Sequence, residues 1–112
     1  MSGPNIPMMK SVREEKTNQI DLRPEIQDFI QENRHLWWWV PEEKKKRLSL
    51  NSVVEAVLNY GTEKSVKRLF ELIGLNRVSE IFFQQISGRR TNYHKLTIHF
   101  FKLYFQRHVQ IG

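Results

Sequence analysis

The chain contains no cysteine, which excludes a disulfide framework, a cysteine-ligated zinc site, an iron–sulfur cluster and a thiol nucleophile. It has no apolar run approaching the roughly 18 residues of a membrane span, and residues 1–16 lack the apolar stretch of a signal peptide. Together these absences predict a soluble, cytoplasmic protein. Residues 81–112 lack carboxylates altogether: all twelve Asp and Glu lie at or before Glu80, whereas Arg89, Arg90, Lys95, Lys102 and Arg107 follow it unopposed. Catalytic constellations are missing too. His35, His94, His99 and His108 include no i, i+4 pair, and no neighbouring carboxylate completes a metal site. There is no glycine-rich phosphate loop and no Gly-x-Ser-x-Gly elbow, and Ser87-Gly88 leads into Arg89 rather than into the clustered acids a nucleotidyltransferase requires. The expectation is a protein that is not an enzyme and holds no metal or cofactor.

What remains is a basic, aromatic-rich chain of 112 residues with a net charge of +6, which is the size of one domain. Residues 1–20, with Gly3, Pro4 and Pro7 and then mixed charge, have no apolar periodicity to bury and read as a disordered tail. Residues 21–112 read as an all-α, small single-domain bundle of four or five helices. Pro24 suits a first helical turn, and Ile26, Phe29 and Ile30 form an i, i+3, i+4 stripe. Residues 36–40 are the most apolar segment and stop at Pro41, which opens a charged turn over 42–47. Leu50, Val53, Val54, Val57 and Leu58 predict a helix, with Gly61 expected as its left-handed cap. Thr62 is the N-cap expected for the next helix, whose inner face is Val66, Leu69, Phe70 and Ile73 and whose end is Gly74. Asn76 is the expected cap of a helix burying Val78, Ile81 and Phe82 and ending at Ser87-Gly88. Asn92 is the expected cap of a last helix with Leu96, Phe100, Leu103 and Tyr104 at helical spacing. Residues 97–105 are also rich in β-branched and aromatic side chains, and a strand is the competing reading there.

Three groups of residues point to binding. Trp37, Trp38 and Trp39 cannot all face one side in either regular structure, so at least one indole is expected to be partly exposed as a contact anchor. Lys44 and Lys45, in the charged turn, would join a phosphate-binding rim if the fold sets them beside Arg89 and Arg90. Arg89 and Arg90, in a turn just ahead of a helix, are the best anion candidates, and Lys95 and Lys102, seven residues apart, extend the basic surface along one helical face. Tyr93 or a tryptophan would stack on a base in the nucleic-acid reading. A helix-turn-helix with residues 66–73, Gly74 and 77–85 fits poorly. It puts Phe70 where a small residue belongs and Glu80 where an aliphatic belongs.

Residues 36–105 resemble a family of small prokaryotic proteins often encoded beside nucleotidyltransferase-like toxins of the abortive-infection type. The likeness rests on Leu36-Trp37-Trp38-Trp39-Val40 before a charged turn, on residues 53–61 (Val-Val-Glu-Ala-Val-Leu-Asn-Tyr-Gly), on the helix over 65–74, and on residues 100–105 (Phe-Phe-Lys-Leu-Tyr-Phe). The chain departs from the family at Val40-Pro41, where members carry an acidic residue after the tryptophans. The resemblance implies an antitoxin-like role through protein contact with a neighbouring toxin. The expected function is therefore that of a binding protein that blocks such a toxin sterically. The alternative is a nucleic-acid-binding module using the basic C-terminal surface, and a homodimer sealed by tryptophans is the third arrangement.

Overall fold

Ser49 starts the helix around which the rest is built: its hydroxyl accepts the Ser52 N–H at 3.2 Å, leaving Leu50–Tyr60 to run as an unbroken helix. That helix buries Leu50, Val53, Val54, Ala56, Val57 and Leu58, more than one stripe, as a helix surrounded by others must. The computed structural model describes residues 20–88 and 91–109, in which six α-helices and one 3-10 turn follow one another. They are α1 (Pro24–Glu32), the 3-10 turn (Arg34–Trp37), α2 (Glu42–Lys45), α3 (Leu50–Tyr60), α4 (Glu63–Ile73), α5 (Leu75–Ile86) and α6 (Lys95–His108). The only strand-like pairing among the described residues is an isolated bridge between Ile20 and Ser49. The fold is all-α, as the periodicity predicts. The tail expected over 1–20 lies, except for Ile20, outside the described residues.

α3 packs against the 3-10 turn, α4 and α5, and α5 in turn carries α6. The joint between α5 and α6 is aromatic. Phe82, fully buried, meets Phe105 with ring centroids 5.4 Å apart and Tyr93 at 5.2 Å, and Phe101 and Phe83 complete the cluster. Tyr93 is clamped there because its hydroxyl donates to Gln85 Oε1 and burial pushes its phenol pKa well above the usual range. The turn leading into α6 is held to α3 by side chains. Asn59 accepts the His94 N–H at 3.1 Å and donates to the Asn92 carbonyl at 2.8 Å, while Asn92 donates to Glu55 at 3.2 Å.

Several local expectations need correction. Gly61 is extended, with φ −75° and ψ 164°, and is not a left-handed cap. Glycine is required there by space, since a Cβ would lie 2.5 Å from the Val57 carbonyl oxygen and 2.6 Å from Ser65 Oγ. Gly74 is the residue with positive φ, at 96°, and it lets α4 pass straight into α5. Asn76 caps nothing because α5 has already begun at Leu75, and Asn92 is spent on Glu55 while His94 occupies the N-cap of α6. Residues 97–105 are helical throughout, so aromatic packing on a 3.6-residue period overrides their β propensity. The charged turn begins as a short helix, α2, with Pro41 at its N-cap.

Candidate docking surface

α6 presents three faces, set by about 100° of rotation per residue. One face, with Phe101 and Phe105, is buried against Phe82. The second carries Lys95, His99, Lys102 and Gln106, all exposed. The third carries Leu96, Phe100 and Leu103 at i, i+4, i+7, and these are 83%, 59% and 50% exposed. Leu96, Phe100 and Leu103, placed at helical spacing by the sequence, therefore face out, and only Tyr104 of that set is partly buried. Both stripes of α6 are apolar. The one that docks is the one whose rings reach the α5 cluster.

Beside the outward stripe, α4 and α6 meet where Phe70 stacks on Tyr104, with centroids 5.7 Å apart, and leave a groove of about 510 Å³. Its walls are Val66, Phe70 and Lys67 of α4, Leu96, Thr97, Phe100, Phe101 and Tyr104 of α6, and Leu58, Gly61 and Glu63 at the junction with α3. Val66, Phe70 and Ile73 stay only partly buried on a strongly amphipathic helix, because α6 does not close over them. Lys67 on this rim is paired with Glu63 at 3.0 Å. The cations of α6 have no carboxylate on their own helix.

The predicted contact residues separate by environment. Trp37 is 1% exposed, with its indole N–H pointed at the Ser52 carbonyl 3.4 Å away, so it is a core residue and not a contact anchor. Lys45 is buried, donating to the Val40 carbonyl at 2.8 Å and paired with Glu42 at 3.3 Å, which takes it out of any phosphate rim. Tyr93 is buried in the aromatic cluster and offers no face for stacking. Trp38 and Trp39 project into solvent as an edge-to-face pair 5.9 Å apart, with Trp38 78% exposed. They do not line the groove. Lys44, Lys95 and Lys102 are exposed, and Arg89 and Arg90 lie outside the described residues. The poor fit to a helix-turn-helix has a structural counterpart, since Glu80 faces solvent and Phe70 packs on α6.

Sequence reasoning missed the groove. The signal that could have found it is the excess of apolar residues in α6, which carries seven across residues 96–105 where one buried stripe would need about half that number. Among the described residues no three His, Asp or Glu side chains gather to hold a metal ion, and no helix is long and apolar enough to cross a membrane. Comparison with family models, curated proteins and solved structures gives no match.

Proposed function

We propose that this is an antitoxin-like binding protein that docks on a nucleotidyltransferase-type toxin and blocks it by occupying its surface. The observation that carries the binding part of this reading is the outward stripe of α6, Leu96, Phe100 and Leu103, left in water beside an open apolar groove. Monomeric soluble proteins seldom leave contiguous apolar surface of this kind without a use for it. Covering a large apolar side chain is worth about 1.5–3 kcal/mol, so three of them supply a docking anchor of ordinary strength. The class of partner comes from the family resemblance alone. The adjacent cations Lys95 and Lys102 favour an acidic counter-surface and speed the encounter. The test is co-expression of the chain with the product of the adjacent gene. A complex that survives gel filtration is expected, and two proteins that elute separately would remove this reading.

Trp38 and Trp39 favour a second reading. An exposed indole pair in the chain just ahead of the exposed Lys44, Lys46 and Arg47 is suited to stacking on single-stranded nucleic acid with phosphate contacts alongside. Affinity for short DNA and RNA would then fall by orders of magnitude between low and physiological salt, and no binding at low salt would end this reading.

A further inference from the structure

Leu96, Phe100, Leu103 and Arg107 recur at i, i+4, i+7 and i+11 on α6, the spacing of a coiled-coil seam, and all four are exposed. At about 100° per residue, Lys95 and Lys102 point roughly 120° away from the middle of this row and lie almost opposite the groove. The seam therefore has an apolar middle and one cation, Arg107, at its C-terminal end. A carboxylate stands at the other end. α4 and α6 both start beside the end of α3, where Asn59 accepts the His94 N–H, and both run the same way, since Phe70 stacks on Tyr104 further along. Glu63, in the first turn of α4, thus lines the groove at its Leu96 end, about 16 Å of helix away from Arg107. Its side chain is 84% exposed, and its Oε1 holds Lys67 at 3.0 Å. We infer that this seam pairs with the same seam of a second copy of the chain, the two α6 helices lying antiparallel about a two-fold axis between Phe100 and Leu103.

Charge selects both the occupant and the direction. An antiparallel pair sets Phe100 of each copy against Leu103 of the other and lays Arg107 over the other copy's Leu96, with the guanidinium directed to the other copy's Glu63. A parallel pair would bring Arg107 against Arg107. The antiparallel two-fold also keeps both grooves on one side of the seam, so each Phe100 ring leans over the groove of the other copy. Lys95 and Lys102, turned away from the seam, are not set against their own copies. Area decides the strength. A standard stable interface buries roughly 800 Å² per partner, and three apolar side chains with one groove wall offer less, so the pairing is reversible, with a dissociation constant on the order of tens of micromolar. The inference goes beyond the partner reading: in the free protein a second copy covers the stripe, and a partner docking on the stripe displaces it.

The test is sedimentation equilibrium of the full chain alone at low salt, from about 1 to about 500 μM. The mass is expected to rise with concentration from the 13.5 kDa of one chain toward double that value. Phe100→Ala is expected to weaken the dimer by about tenfold or more with an unchanged circular dichroism spectrum, because the ring it removes is exposed in the single chain. Arg107→Glu and Glu63→Arg each set like charges against one another at both ends of the seam, and each alone should weaken the dimer by about tenfold. Mixing these two variants should restore it, since each end of the mixed dimer then holds opposite charges. Lys95→Gln with Lys102→Gln, and Trp38→Ser with Trp39→Ser, should leave the dimer unchanged within about twofold. A chain that stays monomeric at about 500 μM would overturn the inference, as would wild-type dimerisation in a folded Phe100→Ala variant. A mixture of the two charge variants that stays monomeric would overturn the antiparallel seam, and a dimer lost in the tryptophan variant would move the contact to the indoles. The partner reading is judged apart from this. A monomeric chain that still co-purifies the product of the adjacent gene removes the dimer and leaves the partner, whereas a dimer that captures no such product does the reverse.

Discussion

Trp37 and Trp38 are neighbours in the chain with opposite environments, and the difference follows from the 3-10 turn, whose tight winding sends Leu36 and Trp37 inward and the next two indoles outward. Trp37 is closed in by α3. Trp37→Ala should therefore lower unfolding free energy by about 3–5 kcal/mol, whereas Trp38→Ala should change it by no more than about 0.5 kcal/mol. Urea titration of both variants checks this, and equal losses would show that the two rings share one environment. Lys45 is the second residue whose part is structural: its ammonium holds the carbonyl of Val40 at 2.8 Å on the far side of Pro41. Lys45→Ala leaves that carbonyl without its donor and should cost about 1–3 kcal/mol. A loss no greater than that of Lys44→Ala would contradict the assignment. Nothing in the run Lys44-Lys45-Lys46-Arg47 distinguishes the second lysine. What sets it apart is its pair of partners, the Val40 carbonyl and Glu42, which the charge pattern alone does not single out.

At the scale of elements, legibility tracks how one-sided each helix is. α1 has a single apolar stripe, α4 has a clear cap, and α3 is apolar on more than one side so that no choice of face arises; Ile26, Phe29, Ile30, Val53, Val57 and the Thr62 cap lie where the sequence predicts. Ser49, the cap of α3, is readable by the same rule. α6 was readable as a helix but not in orientation, because Leu96, Phe100 and Leu103 fit a helical face as well as Phe101 and Phe105 do. Which stripe turns inward is settled by Phe82 and Phe83 on α5, residues that no window along α6 includes. The candidate site was correspondingly only half visible. The spacing of Lys95 and Lys102 assigns them to one helical face, while nothing in the spacing of Leu96, Phe100 and Leu103 says whether that stripe meets the core or solvent. The orientation has a direct consequence. Phe105→Ala should destabilise by about 3–5 kcal/mol and Phe100→Ala by about 1 kcal/mol or less, as thermal unfolding would show. The reverse order would mean that α6 is turned the other way and that the groove does not exist.

On the scale of the whole molecule, the segment before α1 is tied down at both sides. The Arg23 guanidinium donates to Asp21 at 2.9 Å and to the Leu72 carbonyl at the end of α4 at 3.2 Å, and Gln27 bonds the carbonyls of Asp21 and Lys46. The hydrogen bond from Arg23 holds the Asp21 carboxyl below the usual carboxylate range. A group whose pKa is lower in the folded chain than in the unfolded one stabilises the fold above its unfolded value, about 3.9, and loses that contribution as pH falls through the folded value. Asp21→Asn should therefore reduce stability near neutral pH and flatten the acid side of the stability curve below about pH 4. An acid limb identical to wild type would show that this clamp does not contribute.

Among the described residues, the outward stripe of α6 is an exposed apolar surface separate from the indole pair at Trp38 and Trp39. Those two surfaces make opposite forecasts about what the protein holds, so the most direct measurement compares them in one titration. The chain is titrated by calorimetry into the proposed partner, the product of the adjacent gene, as wild type, as Leu96→Ser with Phe100→Ser and Leu103→Ser, and as Trp38→Ser with Trp39→Ser. Loss of binding in the triple variant, with the double variant retaining most of the affinity, is the predicted result. Full affinity in the triple variant and loss in the double would contradict the account.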